Sequence, residues 1–373
     1  MSRLTIRPIL DKADEKVFIK FQWKPYKGNP IWVPPLLMDR RKLIDRKKNP
    51  FYKHAEMELW LAERDGEPVG RIGAIVNHHH IKEHNEKVGF FGFFECFDDQ
   101  ETANALFDAA TRWLKDRGMD AVRGPASPSV NDEYGLLIEG FDKPPVILMA
   151  YNPPYYQRLI ESYGFSKIKD LYAYELHKDR VFTDKMTRVS EAVMQRQGLS
   201  IRTIDMKNFN REVDLIRELY TRGWERNWGE VPMTEDEFKY VAADLKAIVD
   251  PRLVIIAERK GKAVGFGLTL PDYNIILQHN KHGYLIPALI RIMLFRKRVN
   301  FCRIVMLGVV PEFLNSGIGG VLFYDTGRRA VEAGYPSGEA SWVLEDNVMM
   351  VRGAELMNGH LWKRYRLFQK PLA

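Results

Sequence analysis

Apolar and polar residues alternate over residues 4–9 and again over residues 199–204, the two-residue period of a strand with one buried face. Segments with a helical period follow each stretch. In the second, Val213, Ile216 and Tyr220 share a face, and Thr234 with Glu237 has the spacing of a capping box. Strand pairs turning at Asp65 and Gly66, and at Lys260 and Gly261, predict hairpins over residues 60–77 and 253–271. Apolar runs at 88–97 and 304–310 read as buried strands that lead into helical patterns at 103–115 and 317–331. Residues 183–197 predict a helix that stops at Gly198, a structured connector rather than a flexible linker.

This doubled order has a counterpart in residue identities. Leu4, Ile6, Arg7 and Ile9 return as Leu199, Ile201, Arg202 and Ile204. Ala62, Glu63, Arg64, Gly66, Val69 and Gly70 return as Ala257, Glu258, Arg259, Gly261, Val264 and Gly265, and Gly164 returns as Gly359. All three matches hold one register of 195 positions, which predicts an internal duplication. The 373 residues suit two domains, expected at 1–178 and 199–373 with a helical connector at 179–198.

Charge and cysteine content narrow the setting. Lys plus Arg number 56 against 49 Asp plus Glu, a net +7 that suits an acidic ligand, an anionic membrane or a nucleic acid. No nucleic-acid motif accompanies it, so no nucleic-acid partner is expected. Cys96 and Cys302 lie in strand-like runs and are expected as buried, reduced thiols. Residues 1–21 mix acids and bases without an apolar core, so a cytoplasmic protein without a signal peptide is expected. The most lipophilic stretch, residues 284–295, is too short to span a bilayer and carries Arg291.

The candidate chemistry lies in the second copy. Val309, Val310 and Pro311 end an apolar strand; Glu312, Phe313, Leu314, Asn315, Ser316 and Gly317 make a turn; Ile318, Gly319, Gly320 and Leu322 open a helix. Such a turn aims several backbone N–H groups at one point, and the helix N-terminus adds partial positive charge. Glycines let a bulky phosphate approach the backbone. The matching turn of the first copy, Phe97, Asp98, Asp99, Gln100 and Glu101, has no glycine and carries three carboxylates. Those acids suit a helix N-terminus and repel a diphosphate, so the first copy is expected to lack the site.

The order of elements and this loop resemble the GNAT superfamily, the acyl-CoA-dependent N-acyltransferases. Val309, Pro311, Phe313, Gly317, Gly319 and Leu322 match the family's V-x-P-x-[YF]-[RQ]-x-x-G-x-G-x-x-L pattern, and Ser341 to Asn347 continues the likeness. The chain looks like a tandem GNAT protein. It is also similar to a bacterial group of tandem proteins carrying G-P-x(5)-N-D-E-x-G, here Gly124, Pro125, Asn131, Asp132, Glu133 and Gly135. The resemblance implies an α/β fold of two units, each a mixed, mostly antiparallel sheet flanked by helices. It implies an acetyl-CoA or another acyl-CoA as co-substrate, held by Leu307, Val309, Asn315, Ser316, Gly317, Ile318, Gly319 and Gly320. Backbone of the preceding strand would pair with the pantetheine arm and polarise the thioester. Asn347 would sit beside that arm, and Glu345 or Glu312 would accept the amine proton. The family's loop-opening basic or glutamine residue is Leu314 here, and its acidic tyrosine falls at Ala354, which leaves Tyr365 or a water as proton donor.

Other residues carry competing readings. His78, His79, His80 and His84 read as a solvated turn rather than a metal site. Asn131, Asp132 and Glu133 form either a capped turn or a polar substrate pocket in the first copy. Residues 284–298 form either a helix packed over the sheet or a surface for lipid, ending in Arg296, Lys297 and Arg298. Arg40, Arg41 and Lys42 are expected on a solvated face. The preferred function is acyl transfer from a CoA thioester to a small-molecule, peptide or lipid amine. The alternatives are a non-catalytic acyl-CoA-binding or sensing protein and a membrane-facing long-chain acyltransferase. Acceptor, acyl length and oligomeric state are not encoded in these patterns.

Overall fold

The computed structural model of the chain describes residues 3–224 and 227–372. Contacts group it into two compact units that do not follow chain order. Unit 1 holds Met1–Asp170, Leu277–Arg291 and Arg364–Ala373; unit 2 holds Leu171–Ile276 and Ile292–Lys363. The grouping thus differs from the expected 1–178, 179–198 and 199–373. The connector helix Asp184–Gln197 belongs to unit 2, capped by the Thr183 side chain and ended by Gly198 at φ 58°.

In unit 1, Leu4–Pro8 pairs antiparallel with Ala55–Arg64, and that strand with Glu67–Asn77. Val88–Cys96 follows antiparallel and then pairs in parallel with Ala121–Gly124. The strand that closes this sheet comes from the chain's far end, with Phe368 opposite Gly124 and Pro371 opposite Ala121. Helix Gln100–Lys115 buries Leu106, Phe107, Ala110 and Leu114 against the sheet. Apolar residues at such helical spacing form one stripe facing the core.

Unit 2 repeats the plan. Leu199–Thr203, Val254–Arg259, Lys262–Pro271 and Phe301–Val309 form an antiparallel run; Phe301–Val309 then pairs in parallel with Ser337–Leu344. Residues 171–177 close this sheet, with Leu344 opposite Leu171 and Ser337 opposite His177. Each sheet is therefore mixed and mostly antiparallel, as the resemblance implies. The capping box of Thr234 and Glu237 is present at helix Glu235–Leu245, and Val213, Ile216 and Tyr220 are buried together.

Two expectations need correction, and one pair of alternatives is narrowed. His78–His84 is a helix capped by Asn77 rather than a turn, with His80 buried against Phe90 and its ring pushed down to about 4, chiefly by burial. Arg40 is not on a solvated face: it is mostly buried and ion-paired with Glu133. Helix Leu285–Phe295 does not pack its apolar residues over a sheet; only Ala288 is buried. Cys96 and Cys302 are both buried and form no disulfide, and burial pushes the Cys302 thiol up to about 12. No helix of the described residues is long and apolar enough to cross a membrane.

Candidate active site

The site of unit 2 starts from an interruption in its sheet. Phe301–Val309 and Ser337–Leu344 pair in parallel only from Phe301 opposite Ser337 to Ile304 opposite Ala340. Beyond that rung the strands separate, while Phe301–Val309 keeps its other neighbour as far as Val309 opposite Gly265. One edge of residues 305–309, including Leu307 and Val309, is left without a strand partner. Backbone amides and carbonyls along such an edge must find other partners, or hold a ligand.

The glycine turn closes the open end of this wedge. Pro311–Phe313 is a short 3-10 turn, and Gly317 at φ 87° caps helix Ile318–Glu332. That positive φ is one that side chains disfavour, which explains glycine here. The Ser316 hydroxyl donates to the Phe313 carbonyl at 2.6 Å and accepts from Ile318 N–H at 3.3 Å, so the turn is internally braced. A Cβ built on Gly320 meets no atom within 4 Å, and one on Gly319 meets only Val309 Cγ2 at 4.0 Å. Their N–H groups belong to the first turn of the helix, where no intrahelical acceptor exists. The turn therefore combines backbone donors that lack an intrahelical acceptor with room beside the two glycines, which suits the diphosphate expected there.

Charge comes from outside the motif. Leu314 supplies none, but Arg196 Nη2 donates to the Ser316 carbonyl at 3.4 Å. Arg259 lies over the Phe313 ring, 5.3 Å from its centroid, and Arg222 pairs with Glu312 at 2.6 Å. Three guanidinium groups thus flank the turn. Sequence reading missed them because they lie 54 to 120 positions from the residues they approach; the one legible signal was the repeat, which aligns Arg259 with Arg64.

In unit 1 the corresponding places are taken. Arg64 donates to Asp99 at 2.7 Å and to Glu101 at 2.8 Å, and Asp99 caps the helix by accepting from Glu101 N–H. Val88–Cys96 and Ala121–Gly124 also part, after Phe90 opposite Arg123. Here the gap is filled by the unit's own chain: Phe93 N–H donates to Ser127 Oγ at 2.8 Å, and a Cβ on Gly92 would overlap the Ala126 carbonyl.

Two buried polar clusters accompany the wedges. In unit 2, the fully buried Glu339 accepts from Ser341 Oγ at 2.6 Å and Trp362 Nε1 at 2.9 Å, and pairs with Lys363 at 3.3 Å. Arg303, opposite Glu339 in the parallel register, donates to Ser341 Oγ at 3.0 Å. In unit 1, Glu95 accepts from Tyr156 at 2.7 Å and faces Arg71 at 3.5 Å; burial pushes its carboxyl up to about 7. Glu133 joins this region through Arg40, while Asp132 accepts from Ser129 Oγ at 2.6 Å and Asn131 N–H donates to Ser129 Oγ at 3.1 Å. Two residues of that loop are thus braced by Ser129 within the turn, and the third is tied to Arg40.

The remaining candidates are dispersed. Asn347 caps helix Val348–Leu356, accepting from Met350 N–H at 3.2 Å, and Glu345 is half-buried in the turn before it. Glu312 is held below the usual carboxylate range, first by a backbone N–H and then by Arg222, which ill suits a base. Tyr365 is fully buried and grouped with unit 1, in the rung opposite Leu137. Glu230 was not foreseen. It accepts from Tyr220, one helical turn before Gly223, and burial pushes it up to about 7. A Cβ built on Gly223 lies 3.6 Å from the Val309 carbonyl, so this helix end adjoins the mouth of the wedge.

No family model matches the chain. It is 35% identical over 380 aligned positions to the bacterial ceramide synthase of Caulobacter vibrioides, covering 99% of this chain and 98% of that protein. It is 34% identical over 379 positions to Protein YghO of Escherichia coli, covering 98% and 95%. Among solved structures, a tandem GNAT protein from the clavulanic acid biosynthesis pathway matches with TM-score 0.58 at 12% identity, covering 100% of this chain and 99% of that one. A GCN5-related N-acetyltransferase from Sphaerobacter thermophilus matches with TM-score 0.54 at 14% identity, covering 99% and 96%.

Proposed function

We propose, from the premise that this chain belongs to the tandem GNAT-fold family of the Caulobacter bacterial ceramide synthase and Protein YghO, that unit 2 transfers a long acyl group from a CoA thioester to the amine of an amphiphile. The observation that carries the reading is the open glycine turn at Gly319 and Gly320, set at the mouth of a strand edge that has lost its partner. The relative's name, a ceramide synthase, supports a fatty acyl donor and a long-chain amino alcohol as acceptor.

An acyl-CoA supplies an activated carbonyl, and the chain's own part is to bind, orient and move a proton. The N–H groups of Gly319 and Gly320 and the start of helix Ile318–Glu332 hold the diphosphate, with Arg196 and Arg259 adding charge. The edge at Leu307 and Val309 offers backbone hydrogen bonds to the amide-bearing arm, which orients the carbonyl. As the C–N bond forms and the C–S bond breaks, CoA leaves as its thiolate, to be protonated to the free thiol, and the amine proton needs an acceptor. In unit 2, Glu230, bonded to Tyr220 on the helix whose end adjoins the wedge, has an affinity for a proton near neutrality, where a general base works best.

The test incubates the purified protein with palmitoyl-CoA or acetyl-CoA and sphinganine, and follows the N-acyl product by mass spectrometry. Product from palmitoyl-CoA, lost in Gly319→Glu with the fold intact, is the expected result. Absence of product with either donor, or a Gly319→Glu variant as active as wild type, sinks the proposal. Non-catalytic acyl-CoA binding is the second reading, favoured by the buried Ala354 in place of the family's tyrosine. It expects calorimetric binding of palmitoyl-CoA without product.

A further inference from the structure

Helix Leu285–Phe295 turns its apolar residues to solvent. Ile286, Leu289, Ile290, Met293 and Leu294 are between 48% and 70% exposed, and Tyr284 before them is 52% exposed. Their spacing of three and four residues places them on one broad face. A soluble surface rarely keeps such a contiguous apolar stripe without a use for it. The start of the helix is anchored: Gly283 O accepts from Leu37 N–H at 2.9 Å, Lys281 O from Trp23 Nε1 at 3.0 Å, and Tyr284 O from Asn280 Nδ2 at 2.9 Å.

The charge around this stripe has one sign. Lys281, Arg291, Arg296, Lys297 and Arg298 accompany the helix, and no Asp or Glu occurs between Asp272 and Glu312. None of these five cations forms an ion pair with the described residues. Arg298 instead lies over the Phe295 ring at 4.7 Å. Apolar side chains flanked by unneutralised cations match the boundary between acyl chains and anionic headgroups.

We propose that this helix lies in the interface of an anionic lipid bilayer and holds the protein at the membrane surface. At about 1.5 Å per residue the helix is roughly 16 Å long, so its face is well short of the ~800 Å² per partner of a stable protein interface. A two-fold dimer through the same face would also set the five cations against five like charges. Lipid meets neither obstacle. The inference needs no catalytic activity, because docking is read with the lipid alone.

The test is flotation of the full chain with vesicles of phosphatidylcholine alone or with 30% phosphatidylglycerol, a composition chosen for about the charge of an anionic leaflet. Wild type is expected to float with the anionic vesicles and to release as salt rises toward ~0.5 M. The charge-removal variant Arg296→Ala, Lys297→Ala, Arg298→Ala is expected to partition roughly a hundredfold less. Ile286→Ser, Leu289→Ser, Met293→Ser is expected to lose binding to the anionic vesicles while keeping the wild-type melting temperature, since all three side chains are exposed. Equal flotation of all three proteins, or none by wild type, overturns the proposal. So does a wild-type dimer that the apolar variant dissociates in the absence of vesicle binding.

Discussion

Glu95 and Glu230 have the same perturbation for the same reason. Each carboxyl is taken from water and given a tyrosine hydroxyl, and desolvation outweighs the hydrogen bond, so both are pushed up to about 7. For Glu95 the consequence is a stability that depends on pH. A carboxyl whose affinity for protons is higher when folded contributes fully below its ordinary value near 4.5 and loses that contribution as pH rises through 7. Wild type is therefore expected to lose on the order of 3 kcal/mol between pH 5 and pH 8 relative to the slope of Glu95→Gln. Paired thermal melts across that range check it, and parallel slopes would refute it. Arg259 carries the counterpart for binding. Placed over Phe313 beside the glycine turn, it adds a cation where Leu314 has none. Arg259→Ala is expected to weaken acyl-CoA binding about tenfold at low salt and less at high salt, read by calorimetric titration.

The two wedges differ in what fills them, although the strands that form them are equivalent. In unit 2 the parallel pair ends at Ile304 and Ala340, and the glycine turn above it is bare. In unit 1 the pair ends at Phe90 and Arg123, and Ala126 and Ser127 lie across Gly92 and Phe93. Gly92 is the residue that permits this, because a methyl there would overlap the Ala126 carbonyl. Gly92→Ala is expected to cost about 3 kcal/mol, measured by denaturant unfolding, since a backbone carbonyl cannot swing aside as a side chain can. An unchanged midpoint would mean that the segment is not seated in the wedge.

Across the chain, the terminal strands show that sequence order and packing order need not agree. Arg364–Ala373 belong to unit 1 and pair there with Ala121–Gly124, while Leu171 to His177 complete the sheet of unit 2. Deletion of residues 364–373 is thus expected to remove hydrogen-exchange protection from Ala121–Gly124, far from the cut in sequence. Protection unchanged there would show that unit 1 closes without its last strand. The same arrangement predicts that residues 1–178 expressed alone lack a strand of their sheet and melt with low cooperativity.

Elements and the motif were legible because their causes are local. The alternation at residues 4–9, the capping box at Thr234, the turn residues Gly66 and Gly261, and the glycines at 317, 319 and 320 act through their own backbone and near neighbours. The repeat of 195 positions carried the two-unit plan for the same reason, since each copy keeps its own pattern. Position in space decided the rest. Arg40 sits in a run of charges that looks solvated, yet Glu133, 93 residues away, takes it into the interior. Glu230 has no motif, and its affinity for a proton arises from burial beside Tyr220. Helix Leu285–Phe295 has the composition of a packed helix, and nothing within it says that its apolar face would be left uncovered. Burial, ion pairing and strand partnership depend on residues distant in the chain, so no window of sequence contains them.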